Sequence, residues 1–440
     1  MLPITDIEQQ VRKLLPETFD ESLAGEALYV KGPGGRDDTD NFYFKIEKIE
    51  GRYALSSSYY MGVDWVKDGL PIQILPKIEG VDGPVDYMKM LTEALTEPEN
   101  ANYLDGLLTV DFNAPAISIP SAEDMLSPFI VAQFILVLKN AARKGLRRSY
   151  YIVTENLKSK VKGRILATRN ISRNLSKGNK TDNYCQYQQY GLDSLENRLL
   201  KRALKVSSNI LTQYRGGMDV SSLKLGIARI GAYFREVSDD FDPAVLDKHI
   251  GTDPVFRDYV KALGFAKLIL RRNAYGLGRN AKGEQSTPPY WIDMSKLFEL
   301  YLLRKLRKEY GRDEIHYQRR IGGRIPDYLL KPKDGAPMVI DAKYKPKYHT
   351  GSVEFADIGQ VAAYSRMKGV HALLDVEPAD TIPCLIIYAH PDCPDDIEGR
   401  IRAGDWKPLT NFFDIAKLGI ALPIKRLTCK VPCLSYPKIL

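Results

Sequence analysis

The hydrophobic positions of this chain change period along its length, and the changes mark out three regions. Between residues 27 and 80 the apolar residues come in short aromatic or β-branched runs, LYVKG, NFYFKIEKI, RYALSSSYY and LPIQILPKI. Such runs, punctuated by Gly and Asp, predict strands. GPGGRDD between the first two predicts a loop. From Ser121 the period becomes helical. SAED has the form of a capping box, and Phe129, Ile130, Phe134, Ile135 and Leu138 fall on one stripe. The stripe ends on Lys139, Arg143 and Lys144, which suit the negative end of a helix dipole, and Gly145 is a natural terminator. Residues 192–215 and 254–275 have the same helical period. NAYGLGRNAKGEQSTPP (273–289) is rich in Gly, Pro and polar residues and predicts a linker or long loop.

After that segment the pattern predicts a helix (293–309), strands (314–320, 324–330, 337–344), a helix (354–368) and strands (371–376, 383–389). The expected fold class is α+β and multidomain. A β-rich domain occupies 1–120 and a mostly helical, basic region 121–289. An α/β core follows over 290–440, with α-β-β-β-α-β order, one extra strand, and a mixed sheet flanked by helices.

Composition adds boundaries to this picture. The chain has 440 residues, 44% of them hydrophobic and 27% charged, which is ordinary for a globular protein with sizeable cores. No run of 18 or more apolar residues appears, so no membrane span is expected. The first residues, MLPITDIEQQVRKLLPE, do not read as a signal peptide, which points to the cytoplasm. The five cysteines, Cys185, Cys384, Cys393, Cys429 and Cys433, suggest no disulfide framework. Cys384, Cys393 and the Cys429/Cys433 pair offer zinc ligands in principle. They match no tight CxxC spacing and read better as buried or unpaired thiols.

The net charge is +8, but residues 139–180 alone carry 13 Lys or Arg against the single acid Glu155. A stretch of that kind attracts phosphates through charge and counterion release. Its residues Arg143, Lys144, Arg147, Arg148, Lys158, Lys160 and Lys162 are candidate nucleic-acid contacts. The competing reading is a solvated basic face.

The chemistry concentrates between Arg324 and Tyr344. Pro326-Asp327-Tyr-Leu-Leu is followed by the turn material Lys-Pro-Lys-Asp-Gly-Ala-Pro and then by Met338-Val-Ile-Asp341-Ala342-Lys343. Asp327 and Asp341 lie seven residues on either side of Asp334. A hairpin centred there makes them cross-strand partners with Cβ atoms about 5 Å apart. Lys343, two residues on, shares their face, and Ala342 points the other way. Two carboxylates that close repel each other, and a hard cation such as Mg²⁺ neutralises them best, with Mn²⁺ a plausible substitute. Such a cation also makes a retained water acidic enough to attack a phosphodiester. The backbone carbonyl of Ala342 is a natural further ligand. The alternative is a turn aspartate beside an ordinary surface Asp-x-Lys pair. The symmetric spacing, the Pro before Asp327 and the apolar run before Asp341 favour the metal site.

Pro326-Asp327 and Asp341-Ala342-Lys343 resemble the PD-(D/E)XK nuclease motif. That resemblance implies a restriction-endonuclease-like core and a glutamate on the preceding helix near the metal, which in this chain is Glu299. It also implies a Gln-x-x-x-Tyr pair on the following helix, matched by Gln360 and Tyr364, with Asp357 one turn earlier. DMSKLFELYL, RRSYYIVTENLKSKVKGRIL, YCQYQQYGLDSLENRLLKRAL and GLPIQILPKI, in their order along the chain from about residue 60 to 365, resemble the McrC family. McrC is the nuclease subunit of a modification-dependent restriction system. Its partner is McrB, a hexameric ring-forming AAA+ GTPase that recognises methylated cytosine and translocates double-stranded DNA. The resemblance implies that residues 1–120 dock in the ring and stimulate GTP hydrolysis. The chain has no nucleotide motif of its own: Gly278-Arg-Asn-Ala-Lys-Gly283 is followed by Glu284-Gln285 where a phosphate-binding loop needs Lys and Ser or Thr. Two other readings are a DNA-binding scaffold that keeps the nuclease fold without cleaving, and a stand-alone structure-specific nuclease.

Overall fold

The computed structural model describes residues 4–7, 13–15, 28–33, 41–49, 51–67, 69–75, 79–80, 83–95, 103, 106–120, 126–213, 221–246, 257–277, 284–394, 397 and 399–424. The SAED segment, most of GPGGRDD, Cys429 and Cys433 lie outside them. The protein is mixed α/β, with several sheets and helices, and it forms two compact units: residues 1–119 with 286–440, and residues 120–285.

The N-terminal strands form as expected, at Leu28–Lys31, Phe44–Ile49, Arg52–Ser57, Tyr60–Lys67 and Leu70–Leu75. They do not make a self-contained domain over 1–120. The first three belong to a four-stranded sheet and the last two to a five-stranded one, which the strand Tyr290–Asp293 enters between Tyr60–Lys67 and Leu108–Val110, antiparallel to both. Gly62 sits where a Cβ would fall 2.0 Å from the Tyr290 carbonyl oxygen, so only glycine allows the two strands to approach there. Trp291 stacks on Tyr43 at 4.5 Å between ring centroids, in a buried cluster with Phe44, Ile46, Leu55, Ile72 and Ile74. Its indole N–H donates to Asp64 Oδ2 at 2.9 Å, so burying the ring strands no donor.

Asp293 then ends the strand and caps the helix Met294–Tyr310, its side chain accepting from the Lys296 N–H. Leu297, Phe298, Tyr301, Leu302 and Leu306 are buried. Gly311, at φ +91°, closes the helix.

The second sheet of this unit has six strands in the order Ile315–Tyr317, Tyr328–Leu330, Met338–Lys343, Cys384–Ala389, Ile415–Ile420, Lys407–Pro408. The first three are antiparallel neighbours; Met338–Lys343, Cys384–Ala389 and Ile415–Ile420 run parallel. The two strands after residue 400 were not foreseen. The segment 371–376, expected as a strand, is instead the end of a helix, Lys368–Leu374. Val370, His371 and Leu374 face inward at helical spacing, and both His371 ring nitrogens find backbone carbonyls, of Glu377 and Ser365. Asp375, at φ +54°, ends the helix.

In the middle unit the helices Leu126–Lys144, Leu195–Gln213 and Arg257–Leu277 match the helical stripes, and Phe129, Ile130, Phe134, Ile135 and Leu138 are all buried. The last helix runs to Leu277 and Glu284–Thr287 is a strand, so the supposed linker over 273–289 is structured at both ends. The region is less helical than expected. Ser149–Leu157 and Asn183–Gly191 pair antiparallel over nine residues each, with Arg164–Ile165 on the other side of the second strand.

If Trp291 locks the 290–293 strand into the N-terminal sheet, Trp291→Ala is expected to destabilise this unit by about 3–5 kcal/mol. Urea denaturation followed by circular dichroism measures this; a cost below about 1 kcal/mol would show that the strand is held by its backbone pairing alone.

Candidate active site

The hairpin register settles where the two aspartates fall. Tyr328 pairs with Ile340, Leu329 with Val339 and Leu330 with Met338. Continued by one step, this ladder sets Asp327 opposite Asp341, as the spacing about Asp334 required. Asp327 itself lies just before its strand. Its carbonyl accepts from the Gln318 N–H at 2.9 Å and its Oδ2 accepts from the Ala342 N–H at 2.9 Å, so backbone on two sides fixes it. The turn feeding it contains Gln318, Gly322 and Gly323, all at positive φ, and this is why the two flanking strands are shorter than predicted.

Asp341, Ala342 and Lys343 end the central strand Met338–Lys343. Asp341 is fully buried. Lys343 Nζ lies 2.9 Å from Asp341 Oδ2 and 3.8 Å from Asp357 Oδ1, and donates to Gln360 Oε1 at 2.9 Å. Gln360 in turn donates through Nε2 to the Tyr364 hydroxyl at 2.9 Å. Glu299, on the helix Met294–Tyr310, accepts from Gln318 Nε2 at 3.1 Å and from the Tyr317 hydroxyl at 3.3 Å. Glu299, Asp327, Ala342, Lys343 and Gln360, with Tyr59 and Lys345, line one cavity of about 270 Å³. Tyr364 stands behind Gln360 and does not line it.

The electrostatics follow from this crowding. Burial and then the neighbouring Asp327 push the Asp341 carboxyl up to about 8. Burial and Glu299 push Asp327 up to about 7, and burial with Asp293 and other acids pushes Glu299 up to about 7. Burial works against the charge on Lys343, but Asp341, Asp327 and Asp357 outweigh it and hold its pKa above the ordinary lysine value. The Oδ1 of Asp341 is buried and has no hydrogen-bond donor among the described residues. A buried carboxylate oxygen in that condition calls for a cation. Two or three hard oxygen donors with an open face suit a divalent ion of the Mg²⁺ type.

Sequence reasoning missed the support around this pocket. Lys345 pairs with Glu354 at 2.5 Å and with Asp357 at 2.7 Å, and the Tyr348 hydroxyl donates to Asp357. Lys345 and Lys347 hold the Glu354 carboxyl down at about 2. The signal was present: the alternation that placed Lys343 continues through Lys345 and Lys347.

The candidate nucleic-acid residues all belong to the middle unit. Lys158, Lys160 and Lys162 are exposed on the segment that follows the strand Ser149–Leu157, and Lys162 sits 3.9 Å over the Tyr187 ring. Arg143 and Arg148 are exposed. Lys144 is ion-paired with Asp258 at 2.5 Å, and Arg147 is half-buried, so these two are less available. Tyr150, Ile152 and Tyr190 are exposed on the same pair of strands, with Tyr150 and Tyr190 in ring contact at 5.2 Å.

No curated protein matches this chain. Among solved structures it is similar to a chain from a refined half-complex of the tetradecameric assembly of Thermococcus gammatolerans McrB AAA+ hexamers with bound McrC. That match has 15% identity, 95% of this chain and 94% of the other covered, and a TM-score of 0.38. A second match, at 15% identity and a TM-score of 0.27, covers 70% of this chain and 88% of a chain in the Thermococcus gammatolerans McrBC complex. The family model for the McrBC 5-methylcytosine restriction system component matches residues 55–373. This span holds the whole hairpin, Glu299, Gln360 and Tyr364, and the chain therefore belongs to the McrC family of McrBC restriction system components.

Proposed function

We propose that this chain is the Mg²⁺-dependent endodeoxyribonuclease subunit of its restriction system, with a PD-(D/E)XK active site. The observation that carries the reading is the cavity lined by Glu299, Asp327 and Lys343, with Asp341 buried against Lys343 and its Oδ1 lacking a donor among the described residues. Asp327, Asp341, the Ala342 carbonyl and Glu299 would hold the ion. When bound, Mg²⁺ supplies Lewis acidity toward a phosphate oxygen and lowers the pKa of water. Lys343 orients the attacking water and offsets charge on the scissile phosphate, while Asp341 takes part in fixing its ammonium group. Gln360 holds the Lys343 amine at a set distance, and Tyr364 holds Gln360. A flexible four-carbon side chain fixed in this way loses little entropy on reaching the transition state.

The chain works, on this reading, with a hexameric McrB-like AAA+ GTPase ring and double-stranded DNA, and binds no nucleotide itself. The exposed Lys158, Lys160 and Lys162, on the segment after the strand Ser149–Leu157, supply phosphate contacts, with Lys162 over the Tyr187 ring. Coupling to the GTPase is assigned to residues 1–120 as a region. Truncating them is a poor test, because they share a sheet with Tyr290–Asp293. No helix among the described residues is long and apolar enough to cross a membrane.

Asp327→Ala and Asp341→Ala are expected to cut Mg²⁺-dependent DNA cleavage on the order of 10³-fold or more, the scale of several kcal/mol of lost metal chemistry. Asp341→Ala should still stimulate the partner's GTP hydrolysis. Lys343→Ala should lose activity but keep more Mn²⁺ affinity in calorimetry than either aspartate variant. Wild-type cleavage by Asp341→Ala would sink the assignment.

The carboxyl pKa values also fix a pH dependence. Asp327, Asp341 and Glu299 sit at about 7, 8 and 7 in the folded chain, above ordinary carboxyl values near 4. The folded state therefore binds more protons than the unfolded one between about pH 4 and 8, and its stability falls as pH rises through that window. The raised Lys343 acts only above its unfolded value near 10.4, outside the window. In EDTA, the melting temperature is expected to fall from about pH 5 to pH 8, the fall to flatten in Asp341→Asn, and Mn²⁺ at the upper pH to reverse it. Identical pH profiles for wild type and Asp341→Asn would contradict the crowding.

Neutralising Lys158, Lys160 and Lys162 together should weaken DNA binding and lower its salt dependence by about three phosphate contacts at most. Fluorescence anisotropy across a salt series reads this out. An unchanged slope would make the strands an idle solvated surface.

A further inference from the structure

Away from the carboxylate pocket, the fold gathers three metal-ligating side chains that are far apart in sequence. His349, His390 and Cys393 each present a ligand atom, and these atoms lie within 4.8 Å of one another. Cys393 Sγ is 3.5 Å from His349 Nδ1. The His349 and His390 rings stack with centroids 3.9 Å apart and planes within 8°. Zinc binds imidazole nitrogen at about 2.1 Å and thiolate at about 2.3 Å, and tetrahedral angles then put neighbouring ligand atoms roughly 3.4–3.7 Å apart. The sulfur–nitrogen separation already equals one edge of such a tetrahedron.

The backbone holds all three in place. His349 follows the short helical turn Pro346–Tyr348, its N–H bonded to the Pro346 carbonyl. His390 is the first residue past the strand Cys384–Ala389, its N–H bonded to the Ile420 carbonyl at 3.0 Å. Cys393 closes a turn on the His390 carbonyl at 3.2 Å. Lys417 Nζ ties the 348–351 segment to the neighbouring strand by donating to the Tyr348 and Gly351 carbonyls. The two rings stack face to face, so each turns about its Cβ–Cγ bond to aim a nitrogen at a shared ion.

We infer that His349, His390 and Cys393 form a zinc site separate from the carboxylate pocket. Two imidazoles and a thiolate are borderline-to-soft donors, which select zinc over the hard Mg²⁺ that oxygen donors prefer. Both histidines bind as neutral imidazoles, Cys393 gives up its thiol proton to solvent, and water takes the fourth position. The ion staples the 345–349 segment to the end of the 384–389 strand. That segment carries Lys345, which lines the carboxylate cavity, and Tyr348, which donates to Asp357. The zinc thereby fixes one wall of the pocket without taking part in its chemistry. Cys384 is excluded: its sulfur lies in the core and contacts the Val361 and Ile382 carbonyls.

The full-length chain, purified without chelator, is expected to carry about one zinc per chain by mass-spectrometric metal analysis. His390→Ala and Cys393→Ser should lose it. Asp341→Ala and the Cys429→Ser/Cys433→Ser double variant should keep it, which separates this site from the carboxylate pocket and from the other cysteines. The metal-free wild type should take up Co²⁺ with visible d–d bands and a near-ultraviolet thiolate-to-cobalt band, the latter absent in Cys393→Ser. If the variants fail to fold, wild-type alkylation still decides: zinc should slow iodoacetamide labelling of Cys393 at least tenfold, read by peptide mass spectrometry. A chain that purifies without zinc and shows no thiolate-to-cobalt band, or equal labelling rates with and without zinc, overturns the inference.

Discussion

Like charges held together out of water are the constraint on which this structure turns. Two unit charges about 4 Å apart near a protein surface repel by about 4 kcal/mol, and burial adds a desolvation cost for each. Asp327, Asp341 and Glu299 bear both costs, and Lys343 opposes them by direct contact with Asp341. Such a cluster persists because the rest of the fold over-determines it. The register between Tyr328–Leu330 and Met338–Lys343 is locked by Tyr328, Leu329, Val339 and Ile340, all fully buried. A slip of one residue would swap the two buried faces and take Asp341 out of register with Asp327, so hydrophobic burial holds the charges where electrostatics alone would scatter them.

The same economy explains the strand Tyr290–Asp293. Its Trp291 fills the aromatic core of the N-terminal sheet, and its last residue, Asp293, caps the helix that carries Glu299. Nearly two turns of that helix separate the cap from the glutamate, and the two acids still act on each other: Asp293 is itself pushed up to about 6 by burial and is a cause of the raised Glu299 pKa. The N-terminal strands thus bear directly on the geometry of the cavity. The shared sheet joins the N-terminal strands to the helix that carries Glu299.

The middle unit obeys a different rule. Its helices bury an apolar stripe in the usual way, but its paired strands leave Tyr150, Ile152 and Tyr190 exposed, and Lys158, Lys160 and Lys162 are exposed on the segment past the end of the first strand. Asn174 donates to Asn156, Asn170 and the Asp182 carbonyl, which ties the strand Ser149–Leu157 to the short helix Ala167–Arg173.

The sequence by itself determined the local matters: which segments alternate and which wind, where turns fall, and that two aspartates and a lysine would share a face. These follow from side-chain periodicity and turn chemistry within a few residues, and the spacing about Asp334 carried enough of both to place Asp327 opposite Asp341. Glu299, Gln360 and Tyr364 came from family resemblance, since nothing within their own helices says that Lys343 is the neighbour. What tertiary structure alone decided is long-range. The segment 371–376 has apolar residues that fit strand or helix, and burial of Val370, His371 and Leu374 on one face settled it as helix. The strand Ile415–Ile420 exists because Cys384–Ala389 offers it a parallel edge. The union of residues 1–119 with 286–440 rests on a four-residue strand inserted in a distant sheet. His349, His390 and Cys393 meet because two parallel strands end side by side, and no spacing pattern records that, for the distance between ligands along the chain says nothing about which strand ends a sheet will bring together.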